Sequence, residues 1–440
     1  MTEASRPIEV LFRVVSSGFG LGLPVEGVFV VCGRGDLVIW SGITGSEGAA
    51  MALLPGFPEW AYVTDDPGAL LVGGSHPSRI AIRLGDFVGS GPGLPLEISI
   101  PFENVVFAGP IAHSSETHVL IDVLFATDRG RDGSARFNSR RSQDGSLAVG
   151  VCTVSIPRDH RLARLERPAA WRFWTDGEVG RHFMILARAD LADGEFADQL
   201  SAQAGAPPQS FVFVHGYRTT FDDAIYRTAQ LAYDLGFAGV PIAYSWPSAG
   251  NSLGYLSDLN NAEWSSEHLA RFLARLRLLL PDLTIHTLAH SMGNRVLAGA
   301  LQLVDSAASL QMDVRLNQVV LTAPDIDAAV FRRLAKSITA RATQVTMYAS
   351  INDEALRVAR ALQGGYIRAG DASEILIVHG VDTIDASAVD TNLVGHSYYG
   401  DNRSVLSDIF SLISTGARPS GRFGIEPATL GGQVYWTFRA

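Results

Sequence analysis

The pattern of apolar and polar positions changes character once along the chain, near residue 120. Between Ile8 and about Phe107, short β-type runs (Ile8–Val14, Gly27–Cys32, Leu37–Trp40 and Leu96–Ile100) are separated by Gly, Pro, Asp and Ser, with no convincing helical period. Short strands at this spacing predict a small antiparallel, all-β sandwich-like domain over residues 1–115. Its expected role is structural or recognition, with a protein partner as one use for its surface.

From Leu120–Ala126 onward, nearly continuous apolar runs recur at His182–Ala187, Ser210–Val214, Val240–Trp246, Leu283–Ala289, Gln318–Thr322, Val345–Ala349 and Glu374–Val378. Such runs fit parallel strands covered on both faces. Asp222–Leu235, Trp264–Leu280 and Asn294–Leu303 place apolar residues at helical intervals, and Ala355–Leu362 reads as a further helical stretch. The alternation predicts a second domain over residues 116–440, an α/β fold with a doubly wound, mostly parallel sheet. The charged, Gly- and Ser-rich segment Asp128–Ser142 is expected to be a solvated loop.

Composition narrows the function. Of 440 residues, 47% are hydrophobic and 18% charged, enough for a sizeable core and too little charge for a disordered chain. With 35 Lys and Arg against 45 Asp and Glu, the net charge of −10 repels a polyphosphate backbone, so nucleic acid is excluded as an expected partner. Cys32 and Cys152 have no neighbouring Cys or His at ligand spacing, so neither a disulfide framework nor a structural zinc is expected, and no metal or cofactor is called for. The start lacks a signal-peptide pattern, and the longest apolar runs fall far short of the roughly 20 residues a membrane helix needs. A cytoplasmic protein without an integral membrane segment is the expectation.

The feature that carries chemistry is Leu283–Ala300, a strand running into a helix through Ala289-His290-Ser291-Met292-Gly293. This is a nucleophile-elbow pattern. The serine at such a turn adopts a strained backbone, and residues two positions either side must be small, as Ala289 and Gly293 are. Ala289 departs from the usual Gly, but a methyl group still fits. The turn exposes the Ser291 hydroxyl while the following helix start directs N–H groups, Met292 first, toward developing negative charge. A second oxyanion donor is expected from Phe211–Thr220, where Gly216 lets the backbone approach a substrate and the Tyr217 N–H is the candidate. His215, at the end of a buried strand, is read as satisfying nearby backbone groups rather than as a base.

Folds with this elbow order their triad as nucleophile, acid, histidine. Only His379 and His396 follow Ser291; His379 closes the run Glu374–Val378 and is expected to be buried, leaving His396 in Leu393–Tyr399 as the base. Two acids follow strands, Asp325 and Asp353. Asp353 comes after the second strand beyond the elbow and is preferred, with a helix cap or a pocket-lining role left to Asp325. The segment from Trp246 to Trp264 could form a lid whose aromatic residues line an acyl pocket, or could simply be packed.

Taken together, Phe125–Arg129, Val154–Pro157, Phe213–Tyr217, Tyr244–Ser248, Ala289–Arg295, Ala323–Asp325 and Gly395–Tyr398 resemble an uncharacterised group of bacterial α/β-hydrolases of unknown function, over roughly Ile121 to Ser407. The resemblance implies an α/β-hydrolase fold with a Ser, Asp, His triad and leaves the substrate open. The first domain lies outside it and is only vaguely similar to transthyretin-like or immunoglobulin-like modules. The expected activity is that of a serine hydrolase of the esterase or lipase type, acting on small carboxylic esters, with thioesters and amides open to the same acyl-enzyme chemistry. The alternatives are a catalytically silent hydrolase fold used for binding or assembly, and an acyltransferase built on the same triad.

Overall fold

The computed structural model describes strand backbones between residues 8 and 114, and then residues 117–132, 136–166, 180–251, 254–306, 314–389 and 402–439. The chain forms two compact units, Met1–Val106 and Phe107–Ala440.

The first unit is β-rich. Its strands are β1 (Ile8–Ser16), β2 (Phe29–Arg34), β3 (Leu37–Ile43), β4 (Ala49–Leu54), β5 (Trp60–Thr64), β6 (Ile80–Ala81) and β7 (Leu96–Phe102). They make a three-stranded sheet in the order β4-β1-β7 and a four-stranded sheet in the order β3-β2-β5-β6. β1 and β7 run parallel, so the unit is not wholly antiparallel as the turn spacing had implied.

The second unit begins with β8 (Ile111–Ser114), β9 (His118–Thr127), the hairpin of β10 (Arg129–Arg131) and β11 (Phe137–Arg141), β12 (Ala148–Pro157) and β13 (Met184–Asp190). There follow α1 (Asp193–Gln203), β14 (Gln209–Val214), α2 (Phe221–Asp234), β15 (Val240–Ser245), α3 (Tyr255–Leu279), β16 (Thr284–His290), α4 (Gly293–Ser306), β17 (Leu316–Thr322), α5 (Ala328–Arg341) and β18 (Ala342–Ala349). The chain closes with α6 (Glu354–Leu362), β19 (Asp382–Asp385), α7 (Arg403–Thr415), β20 (Ile425–Leu430) and β21 (Gln433–Phe438). One sheet runs β13-β12-β9-β15-β14-β16-β17-β18-β19-β21-β20, with β8 added on β9. From β9 to β21 the neighbours are parallel, and antiparallel strands finish both ends.

The strands are apolar throughout because both faces are covered. In β14, Val212 and Val214 join the core formed with α3, α4 and α5, while Phe211 and Phe213 join the opposite core with α2 and α7. α2 carries β14 to β15 on one side, and α3 returns the chain to β16 on the other side of β14. Strand order therefore reverses at β14. In a parallel sheet the crevice at the carboxyl ends beside such a reversal is where ligands bind.

One expected strand is not formed. Ala372–Glu374 makes a 3₁₀ turn whose start is capped by Asp371, Oδ1 accepting from Ser373 N at 2.9 Å, and β19 at Asp382–Asp385 pairs with β18 instead. His379, expected to be buried at a strand end, is exposed.

Candidate active site

β16 and β14 end side by side at the order reversal, and the sharp turn after β16 carries Ser291. Its φ is +51°, a left-handed conformation that costs a non-glycine residue energy and persists only when its surroundings enforce it. They do. The Ser291 N–H donates to Thr322 O at 3.0 Å, and the Ser291 carbonyl accepts from Asn294 N at 3.1 Å and Asp325 N at 3.2 Å. Asn294 Nδ2 also donates to Ser291 O and to Thr322 O, both at 3.0 Å, and its side chain is fully buried.

Small residues are required here for steric reasons. A Cβ on Gly293 would lie 2.4 Å from both Val214 O and His215 O, so the start of α4 abuts the end of β14. A Cβ on Gly216 would lie 2.9 Å from Ser291 Cβ and 2.8 Å from His290 Nδ1. The loop carrying Tyr217 is thus in van der Waals contact with the elbow, and Met292 immediately precedes α4. Arg218, just after β14, and Ala323, just after β17, also have positive φ, 59° and 46°. Two of these strained residues, Ser291 and Ala323, directly follow the parallel strands β16 and β17, and Arg218 lies in the turn after β14.

The loop after β14 is held by Arg129, which charge counting had assigned to a solvated segment. Arg129 is buried, whereas most of the hairpin beyond it is half-buried or exposed. Its Nε donates to Ser245 Oγ at 2.9 Å, Nη1 to Ser248 O at 3.0 Å and Asn138 O at 3.2 Å, and Nη2 to Thr219 O at 2.8 Å. Burial pulls its pKa down to about 10, opposed by Asp128 and Asp258, so it stays charged at neutral pH. His215 lies 3.3 Å from Arg129 Nη2 and stacks on Trp246 at 5.1 Å between centroids. Its Nδ1 is 2.8 Å from Gly216 O and its Nε2 3.1 Å from Trp246 O. Burial, reinforced by the Arg129 charge, lowers the His215 pKa to about 3, which keeps the ring neutral. His215 is a structural part of the loop.

The segment after β15 is fixed where it is described. Trp246 is fully buried and its indole N–H donates to His215 O at 2.7 Å, so it packs the core instead of lining an acyl pocket. Asp258 on α3 accepts from Ser248 Oγ at 2.6 Å and from Ala249 N at 2.8 Å, and Ser248 Oγ accepts from Thr219 N at 3.2 Å. Burial raises the Asp258 pKa despite these bonds.

Both candidate acids are buried. Asp353 follows β18 and caps α6, with Oδ1 accepting from Leu356 N at 2.9 Å. Asp325 follows β17; its N–H reaches Ser291 O, its Oδ2 accepts from Tyr255 OH at 2.7 Å, and the buried Arg368 guanidinium lies 3.9 Å from its Oδ1. The cap of α5 is Asp327, two residues on, not Asp325. His396 lies outside the described residues, as do residues 252–253 within the connection to α3. Among the described residues no cluster of three His, Cys, Asp or Glu side chains is placed to hold a metal ion, and no helix is long and apolar enough to cross a membrane.

A family match agrees with this architecture. A family profile described as "Alpha/beta hydrolase of unknown function (DUF900)" matches residues 192–415. The uncharacterized protein alr1448 of Nostoc sp. (strain PCC 7120) is 39% identical over 67 residues, which cover 15% of this chain and 17% of that protein. The match therefore spans well under a fifth of the relative's length. An esterase of Pyrobaculum calidifontis in a monoclinic crystal form superposes with a TM-score of 0.28 at 13% identity, covering 71% of this chain and 88% of that one.

Proposed function

The chain belongs to the alpha/beta hydrolases of unknown function (DUF900), and from that premise we propose that it is a serine hydrolase of carboxylic esters with Ser291 as nucleophile, His396 as base and Asp353 as the orienting acid. The observation that carries this reading is the left-handed Ser291, held by bonds to its own carbonyl and N–H at the carboxyl end of a central strand. Such strain is maintained where a nucleophile must be held at the end of a strand, and an ordinary turn would relax it with glycine; Ser291 is buried, not exposed as the elbow pattern alone implies.

In this reading the Ser291 hydroxyl attacks the ester carbonyl carbon while the His396 imidazole takes its proton. The carbonyl oxygen becomes an oxyanion, met by the backbone N–H groups of Met292 and Tyr217. Collapse expels the alcohol, which receives the proton from the imidazolium, and leaves an acyl group on Ser291. Water, deprotonated by the same imidazole, then attacks the acyl carbon and releases the acid, returning the proton to Ser291. Asp353 accepts from the imidazole N–H that faces away from the serine, fixing the tautomer. Its place after β18, with one oxygen engaged by the cap of α6, supports a carboxylate of fixed orientation at that edge of the sheet.

A fluorophosphonate tests the proposal, because it reports an activated serine without any guess about substrate. We expect labelling of the full chain at Ser291, and loss of both labelling and p-nitrophenyl ester hydrolysis in Ser291→Ala. Labelling that persists in the alanine variant would remove Ser291 from the role. A folded protein that takes no label would point to a silent hydrolase fold used for binding.

A further inference from the structure

The geometry points to Tyr255 as a positioning residue for the oxyanion hole, one that ties the Tyr217 loop to the segment gripping Ser291; this rests on the serine-hydrolase reading above. Tyr255 is the first residue of α3 and is 7% exposed. Its ring meets the Tyr217 ring edge to face, with centroids 5.3 Å apart and planes at 76°. Its hydroxyl donates to Asp325 Oδ2 at 2.7 Å, and the Asp325 N–H in turn donates to the Ser291 carbonyl. One side chain therefore touches both the loop that carries one oxyanion donor and the turn that fixes the residue beside the other.

The hydroxyl is itself held in place. Gln363 Nε2 donates to it, and Gln363 Oε1 accepts from Arg295 Nη2 at 3.0 Å and Arg368 Nη1 at 3.2 Å. Arg295 Nε also donates to Asp325 O at 2.7 Å. Burial and the neighbouring Asp325 raise the phenol pKa, so the hydroxyl keeps its proton and stays a donor through the ordinary pH range. Two stabilised N–H groups are of use only at the right separation. Tyr255 spans that separation from outside, touching no reacting atom, so its loss should act on the transition state more than on substrate binding.

The test uses the full chain with active sites titrated by a fluorophosphonate, so that turnover is counted per competent Ser291. Tyr255→Phe keeps the ring against Tyr217 and removes only the bond to Asp325; Tyr255→Leu removes both contacts. For a displacement of the donors of up to an ångström, kcat per titrated site should fall roughly 10- to 100-fold in Tyr255→Phe and further in Tyr255→Leu. KM for a p-nitrophenyl ester should stay within about twofold, since uniform binding is untouched. Affinity for an alkyl boronic acid, which forms a tetrahedral adduct on the serine, should weaken by the same factor as kcat/KM. A purely structural role would lower the titrated fraction and the melting temperature while leaving kcat per site unchanged. That outcome in Tyr255→Phe overturns the inference and leaves the serine-hydrolase reading standing. Wild-type protein that takes no label overturns both.

Discussion

Replacing Gly293 by alanine perturbs the site at its tightest point. The added Cβ would stand 2.4 Å from two atoms, Val214 O and His215 O. Both are backbone carbonyls, so no rotamer change can make room. Ordinary van der Waals contact for a carbon begins near 3.4 Å, so the start of α4 and the end of β14 must part by about 1 Å. Overpacking of this kind costs about 1–3 kcal/mol. The parting carries the 215–217 loop away from Ser291, and a misplacement of about 1 Å is enough to reduce turnover on the order of 100-fold. We expect Gly293→Ala to fold with a lowered Tm and to hydrolyse p-nitrophenyl butyrate about two orders of magnitude more slowly per labelled site. Gly194→Ala in α1 is the matched control, since its Cβ meets nothing within 4 Å, and it should leave Tm unchanged or slightly raised. If Gly293→Ala kept parental Tm and turnover, the close approach of α4 to β14, and with it the placing of the 215–217 loop against the elbow, would be refuted.

Three further outcomes follow from the same geometry. Asp353→Asn should reduce turnover on the order of 10⁴-fold with the fold intact, whereas Asp325→Asn should retain a much larger share of turnover and lose Tm, because the buried Arg368 is left without its counter-charge; the reverse ranking, at matched circular dichroism, would transfer the acid's role to Asp325. Arg129→Lys should lose activity and stability together, since an ammonium cannot reach Ser248 O, Asn138 O and Thr219 O at once; parental Tm and turnover in this variant would show that the guanidinium fork is dispensable. His160, whose ring nitrogens lie 2.7 Å from Glu166 Oε2 and 2.8 Å from Asp234 Oδ1, is pulled down by burial, but the two carboxylates outweigh burial and its pKa is raised. The stabilisation is therefore fully present below the unfolded value of about 6.5 and is lost as the pH rises through the raised folded value. The Tm gap between wild type and His160→Gln should shrink across that window, and a gap constant from acid to alkaline pH would refute the charged clasp.

How much of this was written in the sequence depends on the range of each contact. The elbow was legible because its constraint is local: a strand, a turn and a helix within Leu283–Ala300, with small residues where Cβ atoms would collide. Gly216 was legible as a glycine just after an apolar strand, although the His290 and Ser291 atoms it abuts are brought there only by the fold. Arg129 was not, since the partners of its side chain other than Asn138 stand 86 to 119 residues away and its run of charges is that of a surface loop. Tyr255 and Asn294 carry no distinguishing local pattern; their roles come from Asp325 and Thr322, which only the fold brings near. Glu374–Val378 was misread because apolar runs alone do not say which segment finds an edge to pair with. Here Asp371 turns the chain and β19 takes the edge of β18. Asp325 and Asp327 differ by two positions in one turn, so local reasoning could not tell the helix cap from its neighbour.

The left-handed residues after β14, β16 and β17 bear on how the protein fails under heat. Each would gain backbone energy by relaxing, so Ser291, Arg218 and Ala323 keep their conformations only while the bonds and packing around them stay closed. The strands these residues follow, β14, β16 and β17, form the middle of the parallel sheet, whose amides should exchange with solvent only on global opening. Ser291 and Ala323 are thus anchored directly to central strands of the sheet. On slow heating, catalytic competence and the bulk of the second unit should disappear in a single transition, without an earlier, partially inactivated form.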